Sequence, residues 1–114
     1  MGLAFTEVEV NGARFKALVD TGFNGDLLVS RRVAEELKLP IIGEGERKTV
    51  DGRVVKTRVS YAKVKLLESE GFVIVEVLEE MPLDVLVGVR ALEALGYLVD
   101  PSTGTLKRVG LIAV

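Results

Sequence analysis

No histidine and no cysteine occur anywhere in the chain. Without histidine, Ser–His and Cys–His catalysis are excluded, and so is zinc held by imidazole. Without cysteine there is no disulfide, no thiolate metal site and no thiol nucleophile. Acid–base chemistry near neutral pH therefore falls to carboxylate, lysine or tyrosine groups. Glutamine and tryptophan are missing too, and asparagine occurs only at Asn11 and Asn24. So few thermolabile side chains beside abundant Glu, Lys and Arg lead us to expect a thermophilic source. There is no excess of positive charge: 15 Lys and Arg face 17 Asp and Glu, a formal net charge of -2. The cations are scattered rather than clustered, so no nucleic-acid partner is expected. No apolar run approaches the roughly 20 residues that span a bilayer. Met1 to Val10 lacks the basic start of a signal peptide and carries Glu7 and Glu9. No membrane partner is expected, and the expected location is the cytoplasm.

What is present suits one domain over residues 1–114, with 48% hydrophobic residues and 28% charged. Thr6 to Val10 alternates polar and apolar, Asn11-Gly12 follows, and Ala13 to Ala17 alternates again. That pattern predicts a hairpin with a tight turn, since Asn and Gly both tolerate positive φ. Asp51-Gly52 gives a second hairpin signal, between Arg47-Lys48-Thr49-Val50 and the long alternating run Arg53 to Leu66. Further strands are predicted over Phe72 to Leu78, Leu83 to Val87, Tyr97 to Asp100 and Thr105 to Val114, the last two joined by the turn Pro101 to Gly104. Ser30 can cap a short helix ending near Leu37 or Lys38, before Pro40. A second runs from about Val89 to Leu95, with Gly96 as its terminator. The expected fold is mostly β, a small closed or folded barrel with one or two short helices. Glu44 to Lys48 reads as a solvated loop and Glu79-Glu80 as a charged turn.

The apolar strand Phe15 to Val19 runs directly into Asp20-Thr21-Gly22-Phe23-Asn24-Gly25. A carboxylate is thus delivered to a sharp turn. Gly22 has no Cβ to keep backbone N–H groups from the Asp20 oxygens. The Thr21 hydroxyl can lock the loop, and the Asn24 amide can donate toward the acid. For hydrolysis of a peptide bond without metal or histidine one carboxylate is not enough: two are needed close together, because like charges about 3 Å apart cannot both ionise and one then serves as acid, the other as base. Asp26, Asp51, Asp84 and Asp100 are the other aspartates, and none precedes Thr-Gly or Ser-Gly.

Leu18-Val19-Asp20-Thr21-Gly22 resembles the active-site loop of retropepsin-like aspartic proteases, and Val85-Leu86-Val87-Gly88 resembles their second signature, an apolar pair and glycine before a short helix. The order of segments is similar as well, so the resemblance covers nearly the whole chain. It implies a homodimeric aspartic endopeptidase with Asp20, Thr21 and Gly22 in the catalytic loop, one Asp from each chain, and no metal or organic cofactor. It implies that Val87 and Gly88 thread behind that loop, that Thr21 reaches across to the partner loop, and that Val50-Asp51-Gly52-Arg53 forms the tip of a flap closing over an extended peptide. Phe23, Asn24, Asp51, Gly52 and Arg53 would then bind substrate. The chain departs from the family where Phe23 replaces a small residue, Asn24 replaces Ser, Thr or Asp, and Arg90 stands where many relatives carry Asp or Asn. Phe23 either narrows a subsite or packs into the core. The apolar end Leu111 to Val114 is expected to be buried, in an intersubunit sheet or within its own monomer. Two other readings stand beside this one. In the first the domain is catalytically silent and binds a peptide or serves as an adaptor; in the second it is a plain β domain whose Asp20 only shapes a turn.

Overall fold

A computed structural model describes residues 3–49 and 51–109. Nine strands and two short helices follow one another as β1 (Leu3–Val10), β2 (Ala13–Asp20), β3 (Leu27–Ser30), α1 (Arg31–Glu36), β4 (Gly43–Lys48), β5 (Val54–Leu66), β6 (Ser69–Leu78), β7 (Val85–Gly88), α2 (Val89–Leu95), β8 (Tyr97–Asp100) and β9 (Thr105–Arg108). Strands β1, β2, β7, β3, β6 and β5 hydrogen-bond in that order, and β5 returns to β1 through Val8↔Leu66 and Val10↔Val64. That last pairing closes a barrel of six strands. β4 continues the sheet outside the ring as the partner of β5, while β8 and β9 form a separate ribbon.

Alternation drives the closure. Along β5, Ser60, Ala62, Val64 and Leu66 are buried while Tyr61, Lys63 and Lys65 face outward. Val73, Val75 and Val77 of β6 meet them, with Val8, Val10, Ala17, Val19, Leu27, Val29, Val85 and Val87 from the other strands. Each such Val or Leu removed from water contributes about 1.5–3 kcal/mol. The β-branched residues also suit the pleated wall. Ala91, Leu92 and Leu95 of α2 extend the core, as do Val33 and Ala34 of α1.

The local signals mostly hold. Asn11 and Gly12 take φ of 49° and 86°, the double left-handed turn expected of Asn-Gly. The Ser30 side chain accepts from the Val33 N–H at 3.2 Å and caps α1. Gly96, at φ 84°, ends α2. Two readings need correction, and one strand was not expected. Glu44 to Lys48 is not a loop: it lies within β4, paired with β5 from Gly43↔Val59 to Lys48↔Val54. Leu27–Ser30 is a strand that its brief apolar run did not announce. The strand expected from Leu83 begins at Val85, and it continues through Gly88. The closing strand covers Thr105–Arg108; Leu111 to Val114, and Val50 at the second hairpin, lie outside the described residues.

Candidate active site

β7 lies between β2 and β3, parallel to the first and antiparallel to the second. The six residues that join β2 to β3 therefore have to pass around the end of β7. In the parallel register Val19 stands opposite Val87 and Asp20 opposite Gly88. The acid loop is thus wrapped on the point where β7 becomes α2.

That wrapping solves a problem at the helix terminus. The first N–H groups of any α-helix lack intrahelical partners, and Gly88, at the N-cap of α2, has no side chain to offer. The loop supplies its carbonyls instead. The N–H of Gly88 donates to the Asp26 carbonyl at 2.8 Å, that of Val89 to Phe23 at 3.0 Å, and that of Arg90 to Gly25 at 3.1 Å. Three main-chain bonds thus fix the loop to the helix, whatever the side chains of residues 89 and 90.

Asp20 itself is half-buried. Its Oδ1 accepts the Gly22 N–H at 2.8 Å, and its carbonyl accepts the Phe23 N–H at 3.1 Å. A Cβ at Gly22 would lie 3.1 Å from Asp20 Oδ1, a tight contact that glycine avoids. Thr21 is half-buried beside it. The carboxylate is held by its own turn at the rim of the barrel, pointing one oxygen at a backbone donor.

Phe23 does not stand out into solvent. A Cβ built on Gly88 would meet its Cδ2 at 2.5 Å, and one built on Gly25 would meet its Cζ at 2.6 Å. The ring is wedged between these two glycines, and the Arg47 guanidinium lies over it at 4.8 Å from the centroid. Asn24 is exposed. Its side-chain amide makes no hydrogen bond to Asp20 among the described residues; its carbonyl accepts from Arg47 Nη1 at the long limit of 3.5 Å. Asp26 reaches the neighbouring strand, accepting the Ile74 N–H at 3.0 Å.

Asp51, Gly52 and Arg53 sit at the exposed tip of the β4–β5 hairpin. The turn is wider than a two-residue one. The Thr49 N–H donates to the Arg53 carbonyl at 2.7 Å, the Gly52 N–H donates to Thr49 at 3.0 Å, and Gly52 takes φ 87°. Asp51 staples it, accepting from the Thr49 hydroxyl and pairing with Arg53 Nε at 3.2 Å. These bonds hold the Asp51 carboxyl below its ordinary pKa, with the Thr49 hydroxyl as the main cause. Thr49, Arg53 and Val55 of the hairpin face Leu78 and Glu79 across an open groove. The structure brings Asp20, Gly22, Phe23, Val87 and Gly88 together, and sets Asp51, Gly52 and Arg53 apart on the hairpin.

Sequence reasoning missed Arg47, Thr57 and Glu76. One sign was available: Glu76 interrupts the apolar run Phe72 to Leu78, and a carboxylate inside such a strand needs a partner. Among the described residues no group of three acidic side chains is placed to hold a metal ion.

Comparison with known proteins agrees with this geometry. Residues 6–94 match the family model described as "gag-polyprotein putative aspartyl protease". The retroviral protease-like domain of Ddi1 from Leishmania major superposes with a TM-score of 0.66, covering 95% of this chain and 86% of that one at 18% identity. At that identity the likeness concerns the fold, which is retropepsin-like. No curated protein matches the sequence.

Proposed function

Because the chain belongs to the family of gag-polyprotein aspartyl proteases, we propose that it is an aspartic endopeptidase in which Asp20 is the catalytic acid and two copies of the chain form one site. The observation that carries this is the seating of Asp20. Its carboxylate is oriented by the Gly22 N–H at 2.8 Å, in a loop anchored on α2 by three main-chain bonds. The chain has one Asp-Thr-Gly and no second copy. A symmetric dimer supplies the other carboxylate on its two-fold axis, where an isologous interface brings identical groups together.

In this reading the two Asp20 carboxyls share one proton, since at about 3 Å both cannot ionise. The ionised one removes a proton from water. The water oxygen bonds to the scissile carbonyl carbon, while the protonated partner donates to the carbonyl oxygen. The tetrahedral adduct then collapses: the carboxyl that took the water proton gives it to the amine nitrogen as the C–N bond breaks, the other carboxylate takes a proton from an adduct hydroxyl as the carbonyl re-forms, and the dyad carries one proton throughout. The pair titrates as a unit. Thr21 reaches across to the partner loop. The β4–β5 hairpin, tipped by Asp51, Gly52 and Arg53, closes over an extended peptide that binds largely through its main chain.

The test is digestion of a peptide library by the native protein and by Asp20→Asn, with and without a statine-type inhibitor. Cleavage confined to the native protein, inhibited by statine and carried by a dimer, supports the reading. Cleavage that survives Asp20→Asn removes it. Specific peptide binding with no cleavage favours a silent adaptor instead.

A further inference from the structure

Glu76 lies on the outward side of β6, between the inward Val75 and Val77, yet is only 7% exposed. What covers it is Arg47 of β4. Arg47 Nε lies 3.0 Å from Oε1 and 2.9 Å from Oε2 of Glu76, and Nη2 also donates to Oε2. The Thr57 hydroxyl donates to Oε1 at 3.0 Å. The carboxylate is thus saturated by a fork and a hydroxyl, the geometry in which a guanidinium is hardest to replace. Glu76 raises the Arg47 pKa further, against the desolvation that opposes it.

The other side of the same guanidinium faces the acid loop. Its Cζ lies 4.8 Å from the centre of the Phe23 ring, within cation–π range. A Cβ at Gly25 would come within 2.6 Å of Arg47 Nη2. The far edge of Phe23 rests on Gly88. The contacts therefore form one continuous series: Glu76 on the barrel wall to Arg47 on the strand leading to the hairpin tip, Arg47 to Phe23 in the acid loop, and the edge of Phe23 to the backbone of Gly88. Phe23 has little freedom to move unless Arg47 moves, and Arg47 is held by Glu76.

We propose that Arg47, braced by Glu76 and Thr57, is a positioning residue that presses Phe23 onto Gly88 and so sets the Asp20 loop, tying the hairpin strand β4 to the catalytic carboxylate. Its catalytic consequence rests on Asp20 being the catalytic acid. Phe23 then supports the loop, and the large residue after Asp-Thr-Gly has a physical reason: a small side chain would leave the guanidinium nothing to stack on.

Four variants test it: Arg47→Met, Arg47→Lys, Glu76→Gln and the double variant Arg47→Met/Glu76→Met. The double variant guards against simple unfolding, because an apolar pair can replace a shielded ion pair without loss of stability, whereas a single change strands a charge. Two readouts are taken. The first is amide hydrogen exchange of Val89 and Arg90, whose N–H groups hold the loop carbonyls, with the Lys63 amide, bonded to Asn11, as a remote reference. The second is the separation of kcat from KM on a cleaved peptide. In Arg47→Met and in the double variant, exchange at Val89 and Arg90 rises at least tenfold with Lys63 unchanged. In the same variants kcat falls at least tenfold while KM changes less than threefold. Arg47→Lys, which keeps the charge but not the planar fork, and Glu76→Gln fall between. A double variant with native exchange and native kcat overturns the proposal. So does a rise in KM at constant kcat, which would make Arg47 a substrate contact. If the native protein cleaves nothing, the endopeptidase reading fails by itself; the exchange measurement still decides whether Arg47 holds the loop.

Discussion

Asp20 and Gly88 stand opposite each other at the ends of two parallel strands, β2 and β7. The pairing is what joins two short sequence signals, 68 positions apart in the chain, into one site. A turn that merely ended β2 would leave Asp20 on a free loop. Here the loop has to go around β7, and the carbonyls it exposes on that path are the ones that α2 needs at its N-terminus.

Asp20→Asn is expected to lower kcat by roughly a thousandfold or more, in line with the loss of a general acid–base, and to leave the fold intact. Asn keeps the shape of the side chain and an oxygen for the Gly22 N–H. Steady-state cleavage of a peptide found by library digestion measures the first, and circular dichroism the second. Sizing at micromolar concentration is expected to return a dimer for both proteins; a monomer that still cleaves would contradict the paired-carboxylate mechanism.

Gly88→Ala is expected to destabilise the protein by about 3 kcal/mol through overpacking. Its Cβ would fall 2.2 Å from the Gly25 carbonyl oxygen and 2.5 Å from Phe23 Cδ2. Backbone cannot yield there without breaking the loop's bonds to α2. Gly43→Ala makes the comparison, since nothing lies within 4 Å of a Cβ at that position. Urea unfolding should show a lower midpoint for Gly88→Ala and little change for Gly43→Ala.

Ser30→Ala removes the oxygen that receives the Val33 N–H at 3.2 Å. The expected cost is about 1 kcal/mol, the usual value of an N-cap. α1 is short, with six residues and no acidic residue in its first turn, so no second device replaces the cap. The urea midpoint should fall, and peptide cleavage should not change.

Asp51 makes the hairpin tip sensitive to acid. Its folded pKa is depressed by the Thr49 hydroxyl and the Arg53 main chain. A depressed carboxyl pKa gives support that is complete above the unfolded value and is lost as pH falls through the folded one. The bonds of Asp51 to Thr49 and Arg53 are therefore expected to persist at neutral and mildly acid pH and to be lost only below the ordinary aspartate range. An NMR titration of the Thr49 and Arg53 amides should place the midpoint below that of an unstructured Asp. In Asp51→Asn the two amides should show no such step.

Much of the frame was legible because it rests on local chemistry. Asn11-Gly12, the Ser30 cap, Gly96 and the alternation of β5 each follow from backbone sterics or from a period of two, and neither depends on distant partners. The acid loop was legible for the same reason, as an apolar strand ending in Asp-Thr-Gly. β3 was not, since four residues are too few to show a period. β4 was misread because Gly43-Glu44-Gly45-Glu46-Arg47-Lys48 has the composition of a solvated loop. It becomes a strand only through its register with β5.

By itself, then, the sequence determined which chemistry was open to this protein: with no histidine or cysteine, acid–base work was left to carboxylate, lysine or tyrosine, and only one aspartate, Asp20, precedes Thr-Gly. What tertiary structure alone decided is what anchors the loop that carries that carboxylate. Whether Phe23 faced substrate or core, and whether Glu76 had a partner, depended on β4, β6 and the acid loop meeting in space. Such contacts between residues 23, 47 and 76 leave no periodic trace in the chain, because they are made across strands whose order is not their order in sequence.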